Sequence, residues 1–201
     1  MNLLDLRTEL YARGFDYLSS TRANYFINRA YSELCEEEDW PFLEATTSGN
    51  APLSITDLRT IETVIDTTST RRLDPLDRRH ILEDDYQLST TGSPSCYYLT
   101  TGNSLAVYPA NTTDTISVRY WKVPTELSAD ADTPLVPTRF QQVLVDGASM
   151  YAYFDSDNFE AAQALAELFE SGKTRMRNSL LVQQHDRPDD FIVSVVDHQD
   201  G

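Results

Sequence analysis

The sequence predicts an α+β fold: a helical bundle from N-terminal and C-terminal helices with an inserted antiparallel β module and an extended C-terminal tail. Apolar residues recur every three to four positions at both ends of the 201-residue chain, and short alternating runs fill its middle. A polar, proline-containing segment follows the last helical pattern. The length favours one domain, over residues 1–182, with residues 183–201 as the tail.

Two helices are predicted at the N-terminal end, over residues 2–13 and 21–39. Leu3, Leu6 and Leu10 have the spacing of one helix face. Serine and threonine side chains before the second helix supply N-caps. The apolar stripe of the second helix consists of Ala23, Phe26, Ile27, Ala30 and Leu34.

A Trp-Pro-Phe sequence is predicted to end the second helix. Pro41 stops it because the residue before a proline avoids the helical region. Trp40 and Phe42 are predicted to be structural residues that hold the helix end against the following sheet. Four consecutive acids, 36–39, crowd the last turn, where the helix dipole disfavours negative charge. A solvated helix end is the simpler interpretation of these acids, and a functional role is the alternative.

Residues 42–124 are predicted to form the β module, because Thr, Ser, Val, Ile and Tyr dominate short runs broken by Gly, Pro and Asn. Gly102-Asn103 between two apolar runs predicts a hairpin. In the last run Ile116, Val118 and Tyr120 alternate with residues of the opposite face. The predicted strands are Phe42–Thr47, Thr60–Asp66, Arg71–Leu73, Cys96–Thr100, Ser104–Tyr108 and Thr115–Val123.

Helical periodicity returns over residues 138–155 and 158–182. The turn between them, Asp155-Ser156-Asp157, is short, so the two helices should pack as an antiparallel hairpin. Gly172 interrupts the apolar stripe of the second helix, which predicts a kink there.

The tail, residues 183–201, carries one apolar segment, which follows a polar linker that contains a proline. An apolar strand of this kind gains its hydrogen bonds only from another strand, which favours binding to a partner. Docking on the chain's own β module and remaining disordered are the alternatives. The predicted binding residues are Phe191, Ile192, Val193, Val195 and Val196.

The formal net charge of −16 excludes several functions. Such a chain repels phosphate backbones, so tight sequence-specific binding of nucleic acid is not expected, and neither is docking on anionic lipid. No apolar run reaches the length of a membrane span, and no secretory signal is visible. Two cysteines, Cys35 and Cys96, make no disulfide framework and suit a reducing cytoplasm.

No pattern in the chain predicts catalysis, a metal site or a cofactor. The three histidines are far apart in sequence and have no metal-ligand spacing with the cysteines. Glycine patterns of phosphate loops and nucleophile elbows are absent from the sequence. Paired acids such as Asp130 and Asp132 lack the further ligands of a calcium loop. We therefore expect a protein that is not an enzyme.

The charges are segregated along the chain. Nine acids and a single basic residue lie between residues 125 and 172, while basic residues gather at Arg71-Arg72, Arg78-Arg79 and 173–177. The simplest interpretation is a solvated helix face. The alternative is a head-to-tail contact between identical subunits, acidic face against basic face, of the kind that closes into rings.

The order of short motifs resembles that of the head-to-tail adaptor (connector) proteins of tailed bacteriophages, over about residues 1–180. A helix ending in Glu-Glu-Asp-Trp-Pro-Phe-Leu leads into Thr-rich strands, and the loop 127–137 precedes a C-terminal helical pair. Between them, in order, come Arg72-Leu73-Asp74-Pro75-Leu76, Gly92-Ser93-Pro94, Tyr97-Tyr98-Leu99, Leu105-Ala106-Val107-Tyr108-Pro109 and Ser117-Val118-Arg119-Tyr120-Trp121. The tail after Gln183 has no counterpart in this resemblance.

The resemblance implies a structural virion protein. Such adaptors form a ring, usually of about twelve copies, beneath the portal protein. The ring extends the DNA channel and presents a docking surface for the tail or the next connector. It also implies assembly in the host cytoplasm, no cofactor, no membrane and DNA that passes without sequence-specific binding. A tail-completion or other connector protein and an acidic protein-binding module are the alternative functions.

Helices form the ring wall in such adaptors, so the acids of the C-terminal helices are the candidates for the channel lining. A wall of carboxylates repels phosphates and gives DNA no gain from counterion release. The candidates are Asp146, Asp155, Glu160, Glu167 and Glu170.

Overall fold

The computed structural model describes residues 1–181 and shows five α-helices beside a seven-stranded, barrel-like sheet. The helices are α1 (Leu3–Leu10), α2 (Ser20–Glu37), α3 (Arg78–Asp84), α4 (Gln142–Asp155) and α5 (Phe159–Leu180). The strands are β1 (Glu44–Asn50), β2 (Leu53–Ser54), β3 (Leu58–Asp66), β4 (Arg71–Pro75), β5 (Cys96–Thr100), β6 (Ser104–Tyr108) and β7 (Thr115–Lys122). A π-helical turn, Tyr11–Phe15, continues α1, and 3-10 turns precede β1 and α4.

The predicted fold class, a helical bundle with an inserted antiparallel module, is wrong. The strands form one sheet in the order β1-β7-β3-β4-β5-β6-β2. Its end strands, β1 and β2, follow one another in the chain and lie against each other, which nearly closes the barrel. The two strands are close at Gly49, where a Cβ would lie 2.9 Å from Leu53 Cδ1. The sheet is thus an architectural layer of its own.

The pair β4–β5 is parallel, whereas the prediction had every pair antiparallel. The connection between these two strands contains α3 and is long enough to return the chain to the same end of the sheet, as parallel pairing requires. The two-residue strand β2 is too short to show alternation in the sequence. Both features depend on contacts between distant residues.

Three helices, α2, α4 and α5, form the centre of the helical layer, and α1 packs on α2 and α4. Ten consecutive residues of α4, from Val143 to Ala152, are buried, so this helix is covered on nearly all sides. Gly147 lies where the three helices meet, since a Cβ there would approach Ala30 Cβ to 2.8 Å and Phe169 Cε2 to 2.9 Å.

Helix α5 runs continuously past Gly172, so the glycine does not end the helix. A Cβ at Gly172 would lie 2.7 Å from Val143 Cγ2. The glycine lets α4 and α5 pack closely and does not break the helix. The two helices form an antiparallel pair joined by a short turn, as the sequence predicts.

Two apolar cores result. The larger one lies in the helical layer and reaches the barrel through Trp121 of β7. The smaller one fills the barrel with residues such as Val64, Leu73, Leu105 and Val118. Helical layer and barrel meet where α2 ends and β1 begins.

Candidate functional site

The C-terminal end of α2 is held by an arginine of the barrel. Arg59 on β3 donates hydrogen bonds to the carbonyl oxygens of Cys35 and Glu38, the latter 2.9 Å away. The same guanidinium forms an ion pair with Asp39. A cation at the last carbonyls of a helix satisfies them and offsets the negative end of the dipole. The acidic turn is therefore a junction between helix and sheet, and not simply a solvated helix end.

A buried lysine joins α5 to α2. The side chain of Lys173 is 6% exposed, and its Nζ lies 2.5 Å from Glu170, 2.8 Å from Glu37 and 3.6 Å from Glu33. Burial alone lowers the pKa of this ammonium group, but hydrogen bonds from it to Glu170 and Glu37 outweigh burial and raise the pKa above its ordinary value. Lys173 is thus a charged cross-link between two helices.

Arg177, one turn further along α5, extends the cross-link. Its Nε lies 2.8 Å from Glu38 Oε1, and its Nη2 lies 2.7 Å from Glu37 Oε1. Two of the bases at positions 173–177, which the sequence analysis offered for contacts between subunits, therefore pair within the subunit. Arg175, which lies between them, is exposed.

A surface cleft of about 590 Å³ lies beside this cluster. Tyr151 donates a hydrogen bond to Glu33, and the guanidinium carbon of Arg29 lies 3.9 Å from the centre of the tyrosine ring. Burial, together with the hydrogen bond to Glu33, raises the pKa of Tyr151 to about 12. These groups bind one another, so the arrangement joins α4 to α2.

The five candidate channel acids fall into two groups. Three pair with bases of their own subunit: Asp146 is buried, with Arg13 Nη2 2.7 Å away, Asp155 pairs with Arg22, and Glu170 pairs with Lys173. Pairing of this kind reduces the negative potential that a carboxylate projects from the surface. Glu160 and Glu167 are exposed and make no ion pair within residues 1–181.

Glu160 and Glu167 lie on one exposed stripe of α5. They are seven residues apart, which places both on the same side of the helix. The other members of this outer stripe are exposed as well: Ala164, Ser171, Thr174 and Asn178. The outer stripe is acidic at its N-terminal half and polar or small elsewhere.

Four arginines of the barrel side lie free of ion pairs in the described part of the chain. Arg71 and Arg72 begin β4, and Arg78 and Arg79 begin α3. All four are exposed. The same elements also carry exposed acids, Asp74 on β4 and Glu83 and Asp84 on α3, so the four arginines do not form a basic face.

The Trp-Pro-Phe sequence lies between helix and sheet. Trp40 is fully buried in the helical core, and its indole N–H donates to the carbonyl oxygen of Leu34 at 2.6 Å. Its ring stacks on Phe42, with 5.9 Å between the centroids. Pro41 begins the 3-10 turn Pro41–Leu43, while α2 itself ends at Glu37.

The predicted tail residues Phe191, Ile192, Val193, Val195 and Val196 lie outside the described residues. Two features that the sequence analysis missed are the roles of Arg59 and Lys173. Lys173 carried a signal, because it stands four residues after Phe169 and three before Met176 on the buried stripe of α5. Arg59 carried none, since its partners are about twenty residues or more away in sequence.

Within residues 1–181, no helix is long and apolar enough to cross a membrane. That part of the chain also holds no cluster of three or more side chains suited to a metal ion. Cys35 and Cys96 are both buried and unbridged, and burial raises the pKa of Cys35 to about 12. A thiol with such a pKa is poorly suited to nucleophilic chemistry.

Comparison with known proteins gives one family. The model of the family described as SU10 adaptor protein matches residues 1–191. No curated protein matches the chain.

Proposed function

Since the chain belongs to the SU10 adaptor protein family, whose members are structural adaptors of phage virions, we propose that it is a head-to-tail adaptor. In this proposal about twelve copies form a ring beneath the portal protein, extend the DNA channel and provide the docking surface for the tail or the next connector. The observation that carries the proposal is the family match over residues 1–191. The proposed role requires no bond to be made or broken, and thus no catalytic residue or cofactor. Assembly would take place in the host cytoplasm.

The proposed ring rests on the family match and not on the charges, because exposed acids such as Glu83 and Asp84 lie beside the arginines of β4 and α3. Head-to-tail contacts between identical subunits close into a ring when the rotation permits.

The proposed channel lining follows from which of the five predicted acids are unpaired within residues 1–181. Of the five predicted acids, Glu160 and Glu167 project freely, so we propose that they supply most of the negative potential of the lumen. Asp146, Asp155 and Glu170 contribute less because each pairs with a base of its own subunit. Twelve copies would carry about −190 formal charges in total, a balance that disfavours tight binding of phosphate backbones.

The tail residues Phe191, Ile192, Val193, Val195 and Val196 are proposed to bind the portal protein or a neighbouring subunit in the assembled particle. The support is chemical: an apolar, β-branched segment between polar flanks is suited to strand addition.

Electron microscopy of purified virions in which this subunit is labelled tests the proposal. We expect label in a ring at the head–tail interface, with α5 facing the channel. A particle that lacks the subunit would contradict the adaptor function, and a ring with Glu160 and Glu167 outside the channel would contradict the lining alone.

A charge-reversed double variant, Glu160→Lys with Glu167→Lys, tests the lining functionally. We expect rings to form normally and DNA ejection to slow, most strongly at low ionic strength, because lysines attract phosphates. The matched control reverses two exposed acids of α3, Glu83→Lys with Asp84→Lys, and should eject DNA at the normal rate. Equal ejection rates for the two double variants would contradict the lining.

A further inference from the structure

The barrel has an open seam between β3 and β5. Strand β4 pairs with β3 only at residues 64–66 and with β5 only at Cys96 and Tyr97. Over residues 58–63, β3 pairs with β7 on one side, and over 98–100, β5 pairs with β6 on one side. No strand of the described chain, residues 1–181, pairs with the other edge of either segment. Two unpaired strand edges therefore border the seam, and unpaired edges bind added strands.

A groove of about 560 Å³ occupies this seam. Its lining is mostly apolar, and Leu99, one of its residues, is 45% exposed. The other apolar lining residues are Ile61, Pro75, Leu76, Tyr97 and Tyr98. An apolar groove beside unpaired backbone edges is suited to an extended segment that supplies both backbone hydrogen bonds and apolar side chains.

The charged residues around the groove indicate which kind of residue could lie at the ends of such a segment. Arg78 and Arg79 follow directly after Asp77, which lines the groove, and Arg71 and Arg72 lie at the start of β4. None of these four arginines makes an ion pair within residues 1–181. Exposed acids, Asp74 and Asp77, lie beside these arginines, so the surroundings of the groove are of mixed charge and suit an apolar strand with polar residues at its ends.

The chain itself contains such a segment. Residues 191–196 read Phe-Ile-Val-Ser-Val-Val, with Asp189 and Asp190 before them and Asp197 after them. Elsewhere in the sequence, no six-residue run this rich in β-branched side chains has acids at both ends.

The end of α5 lies within reach of the groove. Arg177 binds the side chain of Glu38, whose carbonyl oxygen accepts a hydrogen bond from Arg59, a residue that lines the groove. Helix α5 ends at Leu180, less than one turn beyond Arg177. Nine residues, 182–190, connect Leu181 to Phe191 and span up to about 30 Å when extended.

We infer that, in the free subunit, residues 191–196 of the same chain add as a strand to the seam between β3 and β5. The strand covers the two open edges before assembly, which protects them from unwanted pairing with other chains. This inference concerns the free subunit and does not depend on ring formation or on the channel. In the virion, release of the segment would free it for the partner proposed above.

Hydrogen exchange of the full-length subunit tests the inference. Val193→Asp places a charge in the middle of the docked strand, and we expect amide exchange at residues 59–63 and 98–100 to become about tenfold faster or more. His198→Asp, which adds the same charge beyond the strand, is the matched control and should leave this exchange unchanged. Amides of α4 report that both variants remain folded.

The reciprocal variant is Leu99→Asp, at an exposed groove residue whose replacement should not unfold the subunit. We expect it to speed exchange within residues 191–196 by a similar factor. Unchanged exchange at the seam in Val193→Asp, or within the segment in Leu99→Asp, would overturn the inference. Protection that disappears when the subunit is diluted would also overturn it, because the strand would then come from a second copy.

Discussion

The helical layer and the barrel differ in how they use their charged groups. In the helical layer Arg7, Arg13, Arg22, Lys173 and Arg177 all pair with acids of the same subunit. On the barrel side, Arg59 and Arg119 pair, while the arginines of β4 and α3 do not within residues 1–181. Both regions keep some charged groups unpaired within residues 1–181, but in the helical layer most bases form ion pairs with acids of the same subunit, as Lys173 and Arg177 do between α5 and α2.

The two regions also differ in how closely their cores are packed. The helical core encloses α4 almost completely and contains close approaches at Gly147 and Gly172. The barrel core is smaller, and its sheet is open between β3 and β5. We therefore expect the helical layer to provide most of the stability of the subunit. Three stability measurements test this difference.

The largest effect is expected from Phe169→Ala on α5. Phe169 is buried against Gly147, so its removal leaves a cavity where α2, α4 and α5 meet, and we expect the free energy of unfolding to fall by about 3–5 kcal/mol. Urea unfolding followed by circular dichroism measures the change. The control on the same helix, Phe159→Ala, removes a ring that is 61% exposed and should change stability by about 0.5 kcal/mol or less. A loss below about 1 kcal/mol for Phe169→Ala would contradict the expectation about the helical core.

A smaller effect is expected from Lys173→Met. The methionine fills the space of the lysine stem but leaves Glu33, Glu37 and Glu170 without their shared cation, so we expect a loss of about 2 kcal/mol. Arg175→Met is the matched control, since Arg175 is exposed on the same helix and forms no ion pair within residues 1–181. If both variants lose the same stability, the cluster is a surface feature and does not join the helices.

The sequence predicted local elements better than their arrangement. Strands β5 and β6 are confirmed at the predicted residues, because alternation and the Gly102-Asn103 turn are local signals. The barrel was not predicted, because the parallel β4–β5 pair and the pairing of β2 with β6 depend on residues far apart in the chain. Periodicity reports which face of a strand is buried, but it does not report which strand lies beside it.

The same limit applies to the candidate site. Counting acids along α4 and α5 treated Asp146 and Glu160 as equivalent, yet the structure buries Asp146 beside Arg13 and leaves Glu160 exposed. The helix period predicts the face of each residue, and Asp146 indeed neighbours the buried Val143 and Met150. Its partner, Arg13, lies 133 residues away in the sequence, and no local pattern indicates such a pair.

The smallest of the three effects concerns acid stability of the barrel, through Asp66 at the end of β3. Its carboxylate accepts hydrogen bonds from the Thr68 N–H at 2.9 Å and the Ser69 hydroxyl at 2.6 Å. Burial alone raises the pKa of this carboxyl, but the hydrogen bonds from Ser69 and Thr68 outweigh burial and hold the pKa below its ordinary value. A group with a lowered pKa in the folded state stabilises the fold above its unfolded pKa, near 4, and loses that contribution as the pH falls through its folded pKa.

Asp66→Asn, which cannot titrate, should therefore be less stable than the natural chain at pH 7, by about 1 kcal/mol or less. The difference should shrink as the pH falls from about 4 through the lower pKa of the folded carboxyl, because the unfolded chain takes up its proton first. Urea midpoints measured between pH 7 and pH 3 check this. A stability difference independent of pH would show that the amide disrupts the turn sterically and that the charge of Asp66 does not stabilise it. Hydrogen exchange locates the effect in the molecule. If the difference in exchange rate between Asp66→Asn and the natural chain shrinks in acid for barrel amides alone, the barrel opens in acid while the helical layer remains closed.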